Sequence, residues 1–338
     1  MNSGSKQMET KNIIISGYGS AEDRTIAEYQ IEQSGEYQKL WETSIPNASF
    51  VCKDDEYLFT VSELDEYGII YMLRREAIGY KLIDRRRVEG GALCHITFSV
   101  KHKTLYGACY GTGTVFAVRV QEQGFGEILY SEIQHNGDQN ELTRAHCVLL
   151  NHHEDELLTI NIALDQIICY RLEVGVPVLS RTIALPKGVG PRHVIYSEDE
   201  TYLYVITEYS NEIFVLENES GKLLQRISTL PESYEGVSNC STLCFSKDGK
   251  YLYGANRGAD TIVQFAVNAQ GELRRMKEYP CGGKHPRHMI RTDVGDMLII
   301  CNQNSNQVVA YLIEEKTGEL IGKAFELEFL NPSGITEV

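Results

Sequence analysis

Residues 190–212 read GPRHVIYSEDETYLYVITEYSNE, and residues 285–307 read HPRHMIRTDVGDMLIICNQNSNQ. Each stretch places Pro-Arg-His before a run of β-branched and aromatic residues, and a short turn separates that run from a second one. Such runs between turn residues are typical of antiparallel β-strands. Two copies of one strand–turn–strand pattern, each led by the same three residues, indicate that the chain is built from repeats.

Strand ends similar to the one at Glu208 recur along the whole chain. They fall at Gly17, Glu63, Tyr110, Asn161, Glu208, Asn256 and Asn302, at steps of 46 to 51 residues. Each repeat has room for four short strands, and Gly-containing turns such as NESGK, NAQGE and EKTGE join the last two of them. Seven such repeats predict an all-β fold, a seven-bladed β-propeller with four-stranded antiparallel blades.

The two ends of the chain predict how the ring closes. The chain enters the repeat frame at a second strand, NIIISGY from residue 12, and its last residues, NPSGITEV, resemble a first strand. We therefore expect the C-terminal strand to complete the N-terminal blade, so that the ring has no open sheet edge. This interpretation assigns residues 11–338 to a single propeller domain and residues 1–10 to a flexible N-terminus.

Composition excludes several classes of partner. The formal net charge is −15, which disfavours binding to a phosphate backbone, so we expect no nucleic acid partner. The sequence has no apolar run long enough for a membrane helix and no apolar segment typical of a secretory signal. The nine cysteines are scattered without a CxxC pair, which is typical of buried, reduced thiols. We expect a cytoplasmic protein without a cofactor, as a monomer or weak homo-oligomer.

Propeller topology predicts which residues meet at the central axis. In a four-stranded meander, the start of the innermost strand and the end of the second strand lie on one face. The predicted inner-strand starts are Ala48, His95, His146, His193, Ser241 and His288, of which four are histidines. Arg144, Arg192, Arg257 and Arg287 lie close to these positions or to the opposing strand ends. An acidic chain that gathers arginines and histidines at one mouth is expected to bind a small anionic molecule there.

The candidate site follows from this alignment. The catalytic candidates are His193, Glu208 and Arg192, and the substrate-binding candidates are His95, Tyr110, Arg144, His146, Asn256, Arg257, Arg287, His288 and Gln303. Two other interpretations of the histidines stay open: each could bond a neighbouring backbone group, or they could hold a metal ion. Arginines among them disfavour a metal ion, so no metal site is predicted. His152 and His153 fall in a turn on the opposite face and are expected to be solvated.

Several motifs resemble those of the propeller-type 6-phosphogluconolactonase family. They are GPRH from residue 190, NRGADTI from residue 256, CNQNSNQVVAY from residue 301, and ALCHI and ACYGTG around residues 92–113. The resemblance spans all seven repeats and implies a seven-bladed propeller that hydrolyses a lactone in the pentose phosphate route. The chain departs from the family's DLG.D element, because NIALDQ keeps Asp165 but has Asn161 in place of the first Asp. It also lacks the proline that the family has before Cys94.

Lactone hydrolysis needs an activated water, a stabilised oxyanion and a proton for the leaving alkoxide. We interpret Arg192, Arg257 and Arg287 as a phosphate clamp and as oxyanion stabilisers, since a guanidinium can give phosphate two parallel hydrogen bonds. Either His193 or Glu208 would activate the water, and the ordinary pKa of histidine, near neutrality, favours His193. His95 and His146 would be supporting donors.

Two other functions fit the same pattern of residues. The resembled family includes fungal enzymes that form a lactone from carboxy-muconate, and such a polyanionic acid would also need arginines. A non-catalytic propeller could bind a metabolite or protein on this face, although aromatic and apolar rim residues would then be expected to dominate. A fold alone does not decide between reactions.

Overall fold

The computed structural model describes residues 9–137 and 140–338, which form seven four-stranded antiparallel sheets arranged as a ring. Strands are numbered in chain order. Blade 1 contains β1 (Thr10–Gly17), β2 (Ile26–Glu32), β3 (Tyr37–Thr43) and, as its inner strand, β28 (Pro332–Glu337). Blade 2 contains β4 (Val51–Lys53), β5 (Tyr57–Glu63), β6 (Tyr67–Arg75) and β7 (Tyr80–Glu89). Blade 3 contains β8 (Leu93–Ser99), β9 (Thr104–Cys109), β10 (Thr114–Gln121) and β11 (Gly124–Ile133).

The remaining four blades repeat this arrangement. Blade 4 contains β12 (Ala145–Leu150), β13 (Glu156–Asn161), β14 (Gln166–Glu173) and β15 (Val176–Ala184). Blade 5 contains β16 (Pro191–Tyr196), β17 (Tyr202–Thr207), β18 (Glu212–Glu217) and β19 (Leu223–Ser228). Blade 6 contains β20 (Asn239–Phe245), β21 (Tyr251–Arg257), β22 (Thr261–Val267) and β23 (Leu273–Pro280). Blade 7 contains β24 (Pro286–Thr292), β25 (Met297–Asn302), β26 (Gln307–Ile313) and β27 (Leu320–Glu328), with a 3₁₀ turn at Gln303–Ser305.

The predicted fold and its closure are confirmed. The C-terminal strand β28 pairs antiparallel with β1, and Ile335 lies opposite Ile15. Blade 1 is therefore built from both ends of the chain, as the repeat frame predicts. Of the predicted flexible segment 1–10, only its last two positions fall within the described residues, and Thr10 already begins β1.

The core lies between adjacent blades and explains the apolar runs in the sequence. The second strands β9 and β25 are buried at every position, so they read as continuous apolar runs and not as an alternating pattern. The outermost strand β19 is mostly exposed. Side chains interlock across blade boundaries: the rings of Phe59 in blade 2 and Phe98 in blade 3 are 4.7 Å apart. Each blade buries its faces against two neighbours, which explains why the ring must close.

The turns between the first and second strands lie on the face opposite the predicted site. In several of them an aspartate accepts backbone N–H bonds; Asp54, for example, accepts from Glu56 and Tyr57 at 2.9 and 2.6 Å. Such Asx turns explain the charged spacers in the repeats. His152 lies in this kind of turn with 62% of its side chain exposed, so its predicted solvation is confirmed.

Within the described residues, no helix could cross a membrane.

Candidate active site at the central mouth

A β-bulge at the start of an inner strand places one extra side chain at the axis. In β16, Pro191 pairs with Thr207 and His193 pairs with Ile206, which leaves Arg192 as the unpaired residue between them. The equivalent extra residues include Cys94 in β8, His146 in β12, Arg287 in β24 and Ser333 in β28. We call these five residues the bulge ring. Bulges re-aim side chains and are common beside active sites.

The glycine of the GPRH motif has a conformational role in this bulge. Gly190 precedes Pro191 with a φ of +63°, in the left-handed region that favours glycine. A Cβ there would lie 2.4 Å from the ring of Tyr209. The carbonyl of Gly190 accepts a 2.6 Å hydrogen bond from the backbone N–H of Glu208, which fixes the residue directly after β17. The motif therefore positions Arg192 and Glu208 together.

The same backbone hydrogen bond recurs in other blades and defines the rim of the mouth. The equivalent N–H groups belong to Tyr18, Glu63, Tyr110 and Gln303, and their acceptors are the carbonyls of Asn331, Asn47, Ala92 and His285. All four acceptor residues have positive φ, like Gly190. We call Tyr18, Glu63, Tyr110, Glu208 and Gln303 the rim.

The strand register corrects one part of the predicted alignment. His146 is the bulge residue of its blade, so it is equivalent to Arg192 and Arg287. The residue equivalent to His193 in blade 4 is Cys147. The period alone placed His146 level with His193, which is wrong by one residue, because the strand end at Asn161 is equivalent in register to Thr207 and not to Glu208. All four histidines nevertheless lie on one side of the ring near the axis, as predicted.

Three of the predicted histidines form a floor beneath the bulge ring. The ring of His193 lies 5.3 Å from that of His95 and 6.2 Å from that of His288. Phe50 completes this layer, 4.1 Å from His95 and 5.2 Å from His288. We call these four side chains the floor. The three histidines lie one residue further along their inner strands than the bulge-ring residues, so they are deeper in the tunnel.

Burial keeps the floor histidines neutral. It lowers the pKa of His95 to about 3, with help from the charges of His288 and Arg192. Burial and the charges of Arg192 and Arg287 lower the pKa of His288 to about 4. The pKa of His193 also lies well below its ordinary value, for the same reasons of burial and a neighbouring guanidinium. At neutral pH these rings therefore act as polar packing groups.

An ion-paired cluster lies directly above the floor. Both Arg192 and Arg257 approach one carboxylate oxygen of Glu208, Oε2, with N–O distances of 3.0 Å. Arg192 also donates to the carbonyl of Ser241 at 2.5 Å. Burial raises the pKa of Glu208, but the two guanidinium groups outweigh it and the net pKa is lowered. Glu208 is therefore an ionised carboxylate with 18% of its side chain exposed.

A second carboxylate faces the mouth from blade 2. The hydroxyl of Tyr18 donates to Glu63 Oε2 at 2.6 Å and accepts from Arg287 Nη2 at 2.8 Å. Burial raises the pKa of Tyr18, so this hydroxyl stays protonated. Tyr18 and Glu63 were not among the predicted site residues. Their position at the ends of second strands, the property that selected Glu208, could have found them.

Bulge-ring residues line a small central cavity together with part of the floor. The cavity encloses about 10 Å³, which is about the space of one water molecule. Its lining residues are Ser49, Phe50, Cys94, His146, Arg192, His193, Arg287, His288 and Ser333. His146 Nδ1 is buried and has no hydrogen-bond partner among the described residues. A buried polar atom of this kind can bond to a water molecule or to a polar group of a small ligand.

The structure separates the remaining predicted residues into two groups. Arg144 lies beside the rim, where Nη1 donates to the hydroxyl of Tyr110 and the guanidinium lies 4.7 Å from that ring. Gln303 is at the rim in blade 7. Asn256, in contrast, is fully buried and donates to Thr229 and Thr261. The prediction that Asn256 binds substrate is corrected, because its side chain braces the interior of blade 6.

A family model described as lactonase, 7-bladed beta-propeller, matches residues 12–335. The chain belongs to this lactonase family. A 6-phosphogluconolactonase of Bacillus subtilis is 26% identical over 309 residues, which cover 86% of this chain and 88% of that protein. The periplasmic gluconolactonase PpgL of Pseudomonas aeruginosa has a similar fold, with a TM-score of 0.89 at 23% identity, covering 98% and 99% of the two chains. An uncharacterized Staphylococcus epidermidis protein is 28% identical, covering 82% of this chain and 84% of its own length.

In this member of the lactonase family, the departure NIALDQ has a structural explanation. Asn161 accepts the backbone N–H of Arg144 at 3.0 Å, so the amide fixes the segment that carries that arginine. Asp165 accepts the backbone N–H groups of Gly188 and Gly190 at 2.7 and 2.8 Å. Both residues therefore hold loops beside the site, and neither side chain enters the cavity.

We expect Asp165→Ala to lower the free energy of unfolding by about 2–4 kcal/mol. The variant removes both acceptors, and each N–H left without a partner costs about 1–3 kcal/mol. Asp165→Asn should lose less stability than Asp165→Ala, because asparagine keeps one acceptor oxygen and tolerates the positive φ of 54° at this position. Urea unfolding monitored by tryptophan fluorescence measures the difference. Equal stability of wild type and Asp165→Ala would show that this loop is held by other contacts.

Metal binding was the other open interpretation of the histidines. Within residues 9–137 and 140–338, no group of three or more His, Cys, Asp or Glu side chains is arranged to hold a metal ion. The floor rings are interleaved with arginines, which repel cations. All nine cysteines lie in the described part of the chain as unpaired thiols.

Proposed function

We propose that this lactonase-family propeller hydrolyses a phosphorylated sugar lactone, most specifically 6-phosphogluconolactone to 6-phosphogluconate. The observation that carries the proposal is the charge at the mouth. The floor, bulge ring and rim, together with Arg144 and Arg257, contain four arginines and two carboxylates, Glu63 and Glu208. With the histidines neutral, the net charge is about +2, which complements a phosphate of about −1.5 to −2 at neutral pH.

The contacts favour Glu208 over His193 as the base. His193 Nε2 accepts from Arg192 Nη1 at 3.4 Å, and its Nδ1 lies 3.3 Å from the hydroxyl of Thr242. Both nitrogens of His193 thus already have partners. Glu208 has only Oε2 in the ion pairs, and its Oε1 has no hydrogen bond or ion pair with any described residue. The two guanidinium groups hold the carboxylate so that this second oxygen can accept a proton from water.

The proposed reaction is an ordinary ester hydrolysis. Water attacks the carbonyl carbon as Glu208 takes its proton, and the carbonyl electron pair moves onto oxygen. Arg287, which lines the cavity and uses one donor on Tyr18, stabilises the oxyanion. The pair then returns, the bond between the carbonyl carbon and the ring oxygen breaks, and the ring oxygen takes the proton from Glu208. The product is the hydroxy acid, whose carboxyl group ionises.

Two further features support the proposal. The Bacillus subtilis relative is named as a 6-phosphogluconolactonase, and it aligns with most of this chain. The unpartnered His146 Nδ1 faces a cavity that has room for about one water molecule. A neutral imidazole nitrogen in this position can hold a water or a substrate hydroxyl beside Arg192 and Arg287.

A direct assay tests the proposal. We expect the purified protein to open freshly prepared 6-phosphogluconolactone with a kcat/KM of about 10⁴ M⁻¹s⁻¹ or more. Production of 6-phosphogluconate is measured by a coupled dehydrogenase, and spontaneous hydrolysis is subtracted from a parallel sample without protein. A rate that does not rise with protein concentration would overturn the enzymatic proposal and leave a metabolite-binding propeller. Formation of a lactone from an open-chain acid would instead identify a cyclase.

A further inference from the structure

We infer that Arg144, with Tyr110 and Tyr209, forms a separate anion subsite on the rim that takes the terminal phosphate of the substrate. This inference rests on the proposed function and assigns the phosphate to a residue outside the cluster around Glu208. It therefore divides the predicted arginines into two roles. Arg192, Arg257 and Arg287 serve the reacting carbonyl, and Arg144 determines the preference for a phosphorylated lactone.

The hydrogen-bond donors of Arg144 are largely available. A guanidinium has five N–H donors, and Arg144 uses one of them, from Nη1 to the hydroxyl of Tyr110. No other hydrogen bond of its side chain is formed with a described residue, and no described carboxylate lies within 4.0 Å. The bond to Tyr110 raises the pKa of Arg144, so the group is a permanent cation at the mouth.

The two arginines that flank Glu208, Arg192 and Arg257, are already held by several acceptors. Arg192 contacts Ser241, His193 and Glu208 and is 2% exposed. Arg257 donates to the backbone carbonyls of Asn239 and Cys240, besides its ion pair with Glu208. A phosphate bound to either group would compete with the carboxylate of Glu208 and with the backbone acceptors. The sequence-based assignment of the phosphate to these two arginines is therefore not what their contacts favour.

The size of the cavity leads to the same conclusion. The cavity between the bulge ring and the floor encloses about 10 Å³, which is too small for a phosphate group. A phosphorylated substrate must therefore keep its phosphate outside the cavity while its carbonyl approaches Glu208. In 6-phosphogluconolactone the phosphate and the reacting carbonyl are several bonds apart, so the two groups can lie on the rim and at the cavity entrance at the same time.

Arg144 is held in place for this role. Its backbone N–H is bound by Asn161, and its guanidinium lies 4.7 Å from the ring of Tyr110. The ring of Tyr110 in turn lies 6.0 Å from that of His146, which connects the rim subsite to the cavity. Tyr209 directly follows Glu208 and is 44% exposed, and burial and the nearby hydroxyl of Tyr110 raise its pKa to about 12, so its phenol group keeps its proton. A fixed guanidinium beside two phenol hydroxyls offers phosphate several donors at low entropic cost.

The test is the substrate preference of Arg144→Gln. We expect the ratio of kcat/KM for 6-phosphogluconolactone to kcat/KM for gluconolactone to fall tenfold to a hundredfold, which is about the value of one charge-assisted contact. Arg171→Gln, an exposed arginine of the same blade on β14, is the matched control and should keep the wild-type ratio. Circular dichroism and thermal melting show that the variants fold.

Binding of the reaction product separates this inference from the proposed function. Calorimetry should show that Arg144→Gln weakens 6-phosphogluconate binding at least tenfold while gluconate binding changes less. If the wild type hydrolyses neither lactone but this difference in binding is found, the proposed function fails and the subsite stands. The subsite is overturned if Arg144→Gln lowers kcat/KM equally for both lactones or changes it for neither. It is also overturned if the wild type does not bind 6-phosphogluconate.

Discussion

Glu208→Gln is expected to lower kcat on a sugar lactone by about 10² to 10⁴-fold, which is the usual contribution of a positioned base. The amide keeps the shape of the side chain and an oxygen that can accept from Arg192 or Arg257, but it cannot take a proton from water. The fall in kcat should be similar for phosphorylated and unphosphorylated lactones, because Glu208 acts on the carbonyl and not on the phosphate. Steady-state kinetics on both substrates measure this, with spontaneous hydrolysis subtracted.

A loss of folding has to be separated from a loss of chemistry. Removing the carboxylate leaves two buried guanidinium groups without a counter-charge, and breaking such a pair costs about 3–5 kcal/mol. Glu208→Asp keeps the charge but withdraws the carboxylate by one methylene, so it should remain folded and still lose activity. Glu212→Gln is the matched control: it has the same exposure of 18%, the same blade and a surface ion pair with Arg226. Near-normal turnover by folded Glu208→Gln would exclude Glu208 as the base.

The fold can be predicted in detail because each blade repeats the same order of strands and turns in the sequence. The turns, the buried second strands and the split first blade each leave a local signal in the sequence, and these signals agree on seven repeats. The pairing of β28 with β1 could be predicted because NPSGITEV resembles an inner strand and the chain begins at a second strand, and both are properties of the sequence. Ring closure then follows from the need to cover both edges of the first blade.

The candidate site is less predictable because its geometry depends on single-residue shifts. His146 and Arg192 proved equivalent although one is histidine and the other arginine, because Asn161 pairs with Ala145 as Thr207 pairs with Pro191, and the repeat period does not reveal this offset of one residue. The same offset explains why Asn256 was mistaken for a rim residue, since it pairs with Cys240 at the equivalent position. The role of a residue also depends on its neighbours. The ordinary pKa of histidine suits a base, but burial lowers the pKa of His193, and Arg192 already bonds to its Nε2.

The floor histidines are expected to make the protein lose stability steeply as the pH falls below about 6.5. In the folded protein the pKa of His95 is about 3 and that of His288 is about 4, so both rings stay neutral in mild acid. In the unfolded chain they take up protons near their ordinary pKa of about 6.5. Their contribution to stability is therefore fully present above that pH and is lost as the pH falls towards the folded values. Each ring contributes a slope of at most about 1.4 kcal/mol per pH unit.

The double variant His95→Asn/His288→Asn tests this origin of the pH dependence. His288 Nδ1 accepts the backbone N–H of Ile335 at 3.2 Å, and an asparagine oxygen can replace that acceptor without titrating. The midpoint of thermal unfolding is measured at intervals from pH 7.5 to pH 5.5, above the range in which most carboxylates take up protons. We expect the double variant to lose markedly less stability over this interval than the wild type, whatever its stability at pH 7.5. His152→Asn, on the opposite face, should follow the wild type. A double variant whose unfolding midpoint falls as steeply as that of the wild type would show that these buried rings do not cause the acid sensitivity.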